Sequence, residues 1–190
     1  MRKTLLTVSI FLCPLVLLAH ITPNVELVRR GEFLKQSLPE ATRFFEKQMM
    51  ISSGDGAAIR KATGWVPSEE DTKVYVGRDA QSQFVGTVVF LWMPSQHGPV
   101  GIGVAFRADG AIRRVAVTDV GSEPLAWVRP LIDGEGMTAF EGLSADAAPD
   151  PSRVAPLAGG SMSRYYASVI AGGVSRAQAI QRVLAQAAKS

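Results

Sequence analysis

The chain has 190 residues, 47% hydrophobic and 19% charged, with a formal net charge of +3. That composition supports one packed core and argues against a disordered or polybasic chain; its Arg and Lys residues are scattered, with no basic run interleaved with aromatics to suggest nucleic-acid binding. A single cysteine and two histidines leave no disulfide framework or Cys-based zinc site, and weigh against a His-rich metal site or a Ser-His-Asp hydrolase.

At the N-terminus, Arg2 and Lys3 precede an uncharged stretch from Thr4 to Val25 whose centre, Leu5 to Leu18, is strongly apolar. This is the pattern of an export signal, and basic residues on its N-terminal side leave the chain beyond Val25 in a periplasmic or other extracytoplasmic space. Leu17-Leu18-Ala19 is a poor small-x-small cleavage site, so a cleaved signal peptide and a retained membrane anchor both stay open. Cys13 lies inside this segment and lacks the small residues that precede a lipidated cysteine.

Ser37-Leu38-Pro39-Glu40 has the form of a capping box, and Leu38, Ala41, Phe45 and Met49 follow at helical spacing, which predicts a helix from Leu38 to Met50. Glu26 to Gln36 reads as a helical arm leading into it. Gly54-Asp55-Gly56 is expected to break the helix, with a short helical piece from Ala57 to Thr63 and an extended connection from Trp65. Two hairpins follow. Lys73 to Gly77 and Phe84 to Trp92 flank the turn Asp79 to Ser82; Val100 to Arg107 and Ile112 to Asp119 flank Asp109-Gly110, a dipeptide suited to a type I′ turn. On the strand from Val100 to Arg107, Gly101, Gly103 and Ala105 give one face almost no side-chain volume, so that face accepts something pressed against it, a neighbouring helix first of all.

Beyond a turn at Gly121 to Leu125, short elements are expected at Trp127 to Ile132 and Met137 to Leu143, then a Pro/Ala/Asp loop from Asp146 to Pro156. A short helix from Ser163 to Ile170, a break at Gly172-Gly173 and a final amphipathic helix capped by Ser175 and running to Ala188 complete the chain. The fold class is therefore α+β: an antiparallel sheet meander flanked by helices, with an N-terminal export or anchor helix. Residues 1–25 form the leader, 26–66 a helical N-terminal arm and 67–190 the main domain.

The segment with most chemical content is Ala158-Gly159-Gly160-Ser161-Met162-Ser163. Small residues let backbone amides approach a phosphate, and free N–H groups at a helix start favour an anion. This segment belongs to a longer pattern: Leu38-Pro39-Glu40-Ala41, Val74-Tyr75, Gly86, Gly98-Pro99-Val100, Asp109-Gly110-Ala111-Ile112, Glu123-Pro124 and Phe140-Glu141-Gly142, in that order. From Leu38 to Ala188 the chain resembles the FMN-binding domain family, found in periplasmic flavin subunits of Rnf-type and sodium-translocating quinone reductases and in the periplasmic part of the nitrous-oxide-reductase regulator.

The resemblance implies an exported electron-transfer flavoprotein. Its cofactor would be FMN, bound covalently or noncovalently, and its partners a flavin transferase and a membrane or periplasmic electron donor and acceptor. In the family a Ser/Thr-Gly-Ala-Thr-x-Ser/Thr motif carries FMN through a phosphoester. That makes Ser161 the attachment residue, with Gly159, Gly160, Met162 and Ser163 around the phosphate and Glu123, Pro124 and Leu125 as the turn beside the flavin. The motif departs from the family in carrying Ser161 for threonine, Ala158 for the first hydroxyl and Ala155 for an upstream acid. A second register, Ile170 to Ala177, is open but puts Val174 at the linkage position. Trp92, Trp127, Tyr165 and Tyr166 are candidates for ring contacts or for core packing. No pair of carboxylates and no general base can be assigned. The alternative function is a cofactor-free accessory module of the same fold, docking on a membrane redox or transport complex.

Overall fold

The structure is a computed structural model that describes residues 23–68, 72–154 and 160–187. In chain order its regular elements are β1 (Asn24–Glu26), α1 (Arg30–Ser37), β2 (Arg43–Gln48), α2 (Ser53–Thr63), β3 (Lys73–Arg78), β4 (Phe84–Met93), β5 (Val100–Arg107), β6 (Ile112–Gly121), α3 (Leu125–Ile132) and α4 (Ser161–Ala187). Short 3-10 turns at Met137–Phe140 and Pro151–Arg153 lie between the last two.

Six strands form one sheet in the order β1-β6-β5-β4-β3-β2, and every neighbouring pair is antiparallel. From β2 to β6 the sheet is a meander, and α1 carries the chain across it from β1 at one edge to β2 at the other. The expected α+β class, an antiparallel meander flanked by helices, is what the chain forms.

Alternation along the strands sorts side chains to the two faces. Val74, Val89, Val104 and Val115 lie opposite one another across β3 to β6, and with Leu91, Ile102 and Val117 they bury against Tyr166, Ile170, Val174 and Ile180 of α4. The other face carries a smaller cluster of Phe33, Leu38, Val88 and Ala105. There the small-residue side of β5 receives α1, as expected: a Cβ at Gly103 would stand 2.8 Å from Phe33 Cε1.

Several sequence expectations fail for local reasons. The segment expected as a helix from Leu38 to Met50 is a turn followed by β2, which pairs from Arg43 with Arg78 to Gln48 with Lys73. Leu38 is instead the C-cap of α1, its N–H bonding the Leu34 carbonyl. The arm assigned to 26–66 therefore contributes an edge strand to the sheet. Gly54-Asp55-Gly56 does not break a helix but lies in the first turn of α2. The capping box belongs to Ser52 and Asp55, whose side chains each accept the other residue's backbone N–H, and this offsets the glycine cost.

At the β5–β6 turn only Gly110 has positive φ, 83°. Gly110 N–H bonds the Arg107 carbonyl and Arg107 N–H the Ala111 carbonyl, so this is a type I turn closed by a left-handed glycine rather than type I′. At the other end, α4 runs unbroken for 27 residues through Gly172-Gly173 and Ser175, which neither break nor cap it. A Cβ at Gly173 would meet Ile102 Cδ1 at 2.5 Å and Met93 Cγ at 3.1 Å, so that glycine marks close helix–sheet approach.

The buried Gln178 of α4 donates through Nε2 to the carbonyls of Ser144 and Ala147, at 2.7 and 2.9 Å. Arg182 donates to the Ala145 carbonyl, so the loop after the first 3-10 turn is fastened to the helix. The proposed leader lies outside the described residues except for its last positions, of which Asn24 and Val25 belong to β1 and pair with Gly121 and Val120. Among the described residues no helix is long and apolar enough to cross a membrane.

Candidate functional site

Ala158 and Gly159 lie outside the described residues; the rest of the motif opens α4. The N–H of Arg164 bonds the Gly160 carbonyl at 3.1 Å, so the amides of Ser161, Met162 and Ser163 form a first turn with no acceptor inside the helix. Ser161 is exposed at the helix start. Ser163 is buried at 6% exposure, and Met162 is partly buried against the main core. A Cβ on Gly160 would meet nothing within 4 Å, so no close approach in the described structure requires a glycine there. Of the motif hydroxyls, Ser161 is open to solvent and Ser163 faces inward.

The second part of the candidate site is the turn between β6 and α3. Pro124 is the N-cap of α3, and its carbonyl accepts the N–H groups of Trp127 and Val128, both at 3.0 Å. Pro124 is buried and Leu125 partly buried, while Glu123 stays exposed. The Glu123 carboxylate is paired: Oε1 lies 2.9 Å from Nδ1 of His97, in the loop between β4 and β5. The His97 ring sits 5.0 Å from Trp127. Trp127 stacks on Tyr166 at 6.1 Å and 12°, and Tyr165 meets Tyr166 edge-on at 5.1 Å.

The same loop is tied to α4 by hydrogen bonds. Gln96 N–H donates to Tyr165 Oη at 3.1 Å. Ser95 Oγ donates its one proton to the Gly98 carbonyl, so the contact between Ser95 Oγ and Tyr166 Oη at 3.2 Å has the phenol as donor. Burial pushes the Tyr166 phenol above its ordinary pKa, which keeps that proton in place.

The structure thus brings Glu123, Pro124 and Leu125 to the aromatic cluster that includes Tyr165 and Tyr166, in the second turn of the helix that Ser161 begins. Trp127 is also there. Trp92 is not: it neighbours Met93 on β4 and points to the opposite face of the sheet, 41% exposed. The second register, Ile170 to Ala177, lies in the interior of α4, where backbone amides are engaged within the helix and Gly173 is pressed onto the sheet; no anion cradle forms there. His97, to which sequence reasoning gives no role at the site, is the main omission. Its partner Glu123 is 26 positions away in the chain, and only the sheet register that sets β4–β5 beside β6–α3 joins them.

Comparison with protein-family models, with curated proteins and with solved structures finds no match.

Proposed function

We propose that this chain is an exported electron-transfer protein of the FMN-binding type, with the FMN phosphate at the first turn of α4 and Ser161 Oγ as the attachment hydroxyl. The observation that carries this reading is an exposed hydroxyl beside three amides that lack helical acceptors, at the start of a 27-residue helix. Such amides and the positive end of the helix dipole offset phosphate charge, so these residues fit the phosphate end of the cofactor. When bound, FMN supplies the electron-transfer chemistry. Ser161 would anchor it, Ser163 and Met162 would fix the helix start against the core, and the Glu123–His97 pair would hold the neighbouring turn. A flavin transferase and a membrane or periplasmic donor and acceptor are the partners this role requires.

One observation favours a second reading. Trp127 is covered by Tyr166 and His97, so the aromatic cluster is satisfied internally and acts as packing. A cofactor-free module docking on a membrane redox or transport complex would need no more. The test is expression with FMN and a flavin transferase, followed by native absorption and in-gel fluorescence after denaturation. The flavoprotein reading expects a fluorescent band that is lost in Ser161→Ala. A colourless wild-type protein supports the second reading, and flavin still covalently bound in Ser161→Ala rejects this attachment residue.

A further inference from the structure

The strand order leaves β2 at one edge of the sheet. Its pairing with β3 places Arg43, Phe45 and Lys47 opposite Arg78, Val76 and Val74. Val74 belongs to the core beneath α4, so these three side chains share the face on which α4 packs. All three are exposed, Phe45 at 47%. At the end of the strand the Met49 N–H bonds the Thr72 carbonyl. Main-chain groups alternate in direction along an antiparallel strand, so Phe44 and Glu46 turn their N–H and C=O groups away from β3, toward a position that no described strand fills.

Two cations flank Phe45 on this edge. Arg43 Nη2 donates to the Ser82 hydroxyl at 2.6 Å, a neutral partner that leaves the guanidinium charge uncompensated. Arg78, opposite Arg43 on the same face, donates to the Ser82 carbonyl at 2.7 Å and adds a third positive charge. Among the described residues, neither Arg43 nor Lys47 lies within ion-pair distance of a carboxylate. The neighbouring carboxylates are engaged elsewhere: Glu46 lies on the other face and accepts the Tyr75 O–H at 2.9 Å. Asp55, which shares a cleft with Lys47, accepts the Ser52 N–H and O–H, and Asp79 accepts the Gln83 N–H at 2.7 Å. A second copy of the chain does not suit this edge. Antiparallel two-fold pairing centred on Phe45 sets Arg43 against Lys47, pairing centred on Glu46 or Lys47 sets that charge against its own copy, and pairing centred on Phe44 engages only Arg43 to Phe45 of each strand.

We propose that β2 is a docking edge for an extended segment of an acidic partner protein. The segment adds a strand antiparallel to β2, with carboxylates against Arg43 and Lys47 and an apolar side chain between them against Phe45. Free main-chain groups supply the hydrogen bonds, and alternate side chains select the partner. Charged edge residues ordinarily keep other strands off a sheet; here the charges on the α4 face have one sign, so they turn away a basic strand and admit an acidic one. The sequence pattern this edge reads is acid-x-apolar-x-acid. The surface is independent of the flavin reading, because β2 shares no residue with the start of α4.

The test is titration of the full chain with a fluorescein-labelled peptide, Thr-Glu-Thr-Phe-Thr-Glu-Thr, and with its counterpart carrying Lys in place of both Glu residues, read by anisotropy and by amide NMR. The acidic peptide should bind saturably and more weakly in added salt, shifting the Phe44 and Glu46 amide signals and slowing their hydrogen exchange. Arg43→Gln and Lys47→Gln should each weaken it about two- to fivefold. The protein carrying both Arg43→Glu and Lys47→Glu should instead prefer the Lys peptide. Both positions are exposed, and circular dichroism confirms that each variant is folded. The proposal is overturned if the acidic peptide does not bind, if the two peptides bind alike, or if the preference does not reverse in the double variant. Unmoved Phe44 and Glu46 amides, or a dimer of the free chain that protects those same amides, would also overturn it. Ser161→Ala leaves the titration as it is in the wild type, so failure here and failure of the flavin reading are distinct results.

Discussion

Gly103→Ala tests the docking of α1 on the sheet. The added methyl carbon would stand 2.8 Å from Phe33 Cε1, 3.0 Å from Phe33 Cδ1 and 3.1 Å from Phe90 Cε1. Carbon atoms settle at about 3.5–4.0 Å, so a ring must retreat by roughly 0.7 Å or more. Neither ring has an easy route. Phe33 is fully buried, and its edge is fixed against Phe90 at a centroid distance of 5.7 Å. Overpacking of this kind costs about 1–3 kcal/mol, which for a chain of this size is a fall in Tm of about 2–12 °C. Urea and thermal unfolding, followed by circular dichroism, measure it. Phe33→Leu removes the obstructing ring atoms at its own cost in buried area. The double variant should therefore be more stable than the sum of the two single effects, by about 0.5–3 kcal/mol. If Gly103→Ala stays within about 0.5 kcal/mol of the wild type, or the two changes simply add, α1 is not held by this contact and the account of the small face of β5 is wrong.

Two further outcomes follow from particular pairs. Thr87 Oγ1 donates to Gln181 Oε1 at 2.6 Å in the buried layer between β4 and α4; Gln181→Leu leaves that hydroxyl unpaired and should cost about 1–3 kcal/mol in urea unfolding, while adding Thr87→Val recovers most of the loss. Glu40 receives two hydrogen bonds from the Arg113 guanidinium, at 2.8 and 3.0 Å, and these hold its carboxyl below the ordinary glutamate pKa. Because the folded pKa is the lower one, this stabilisation is complete above the ordinary glutamate value and is lost as pH falls through the folded value. Solvent screens the pair, with side-chain exposures of 30% and 56%, so Glu40→Gln should cost only about 0.2–1 kcal/mol at neutral pH. Matched denaturation curves should show that difference vanish in acid; a constant difference would place the effect elsewhere.

The strands of the two hairpins were legible because apolar runs of strand length are separated by the turn residues Asp79 to Ser82 and Asp109-Gly110, even though β5 is buried along nearly its whole length. Their partners across the sheet were legible too, through the small residues of β5 that anticipated a helix. β2 was not, because an edge strand buries little: of Arg43 to Gln48 only Phe44 is even partly buried, so no period marks it. Leu38, Ala41, Phe45 and Met49 share a helical spacing by coincidence, and Leu38 serves α1 rather than opening a new helix. Gly172-Gly173 has the same sequence signature as a break. Its real cause, Met93 and Ile102 pressing on the helix, is tertiary and leaves no local trace. In the candidate site the exposed start of α4 at Ser161 was readable from the small residues before it, whereas the His97–Glu123 contact depends on two loops meeting at one end of the sheet.

The fastening of residues 144–147 by Gln178 and Arg182 has a temporal consequence. Each of those carbonyls waits for a donor 31 to 37 positions downstream, so this stretch emerges early yet settles only when the far half of the last helix has docked. The β-meander can close on neighbouring strands as they appear. The loop at residues 144–147 therefore orders with α4 rather than with the strands that precede it.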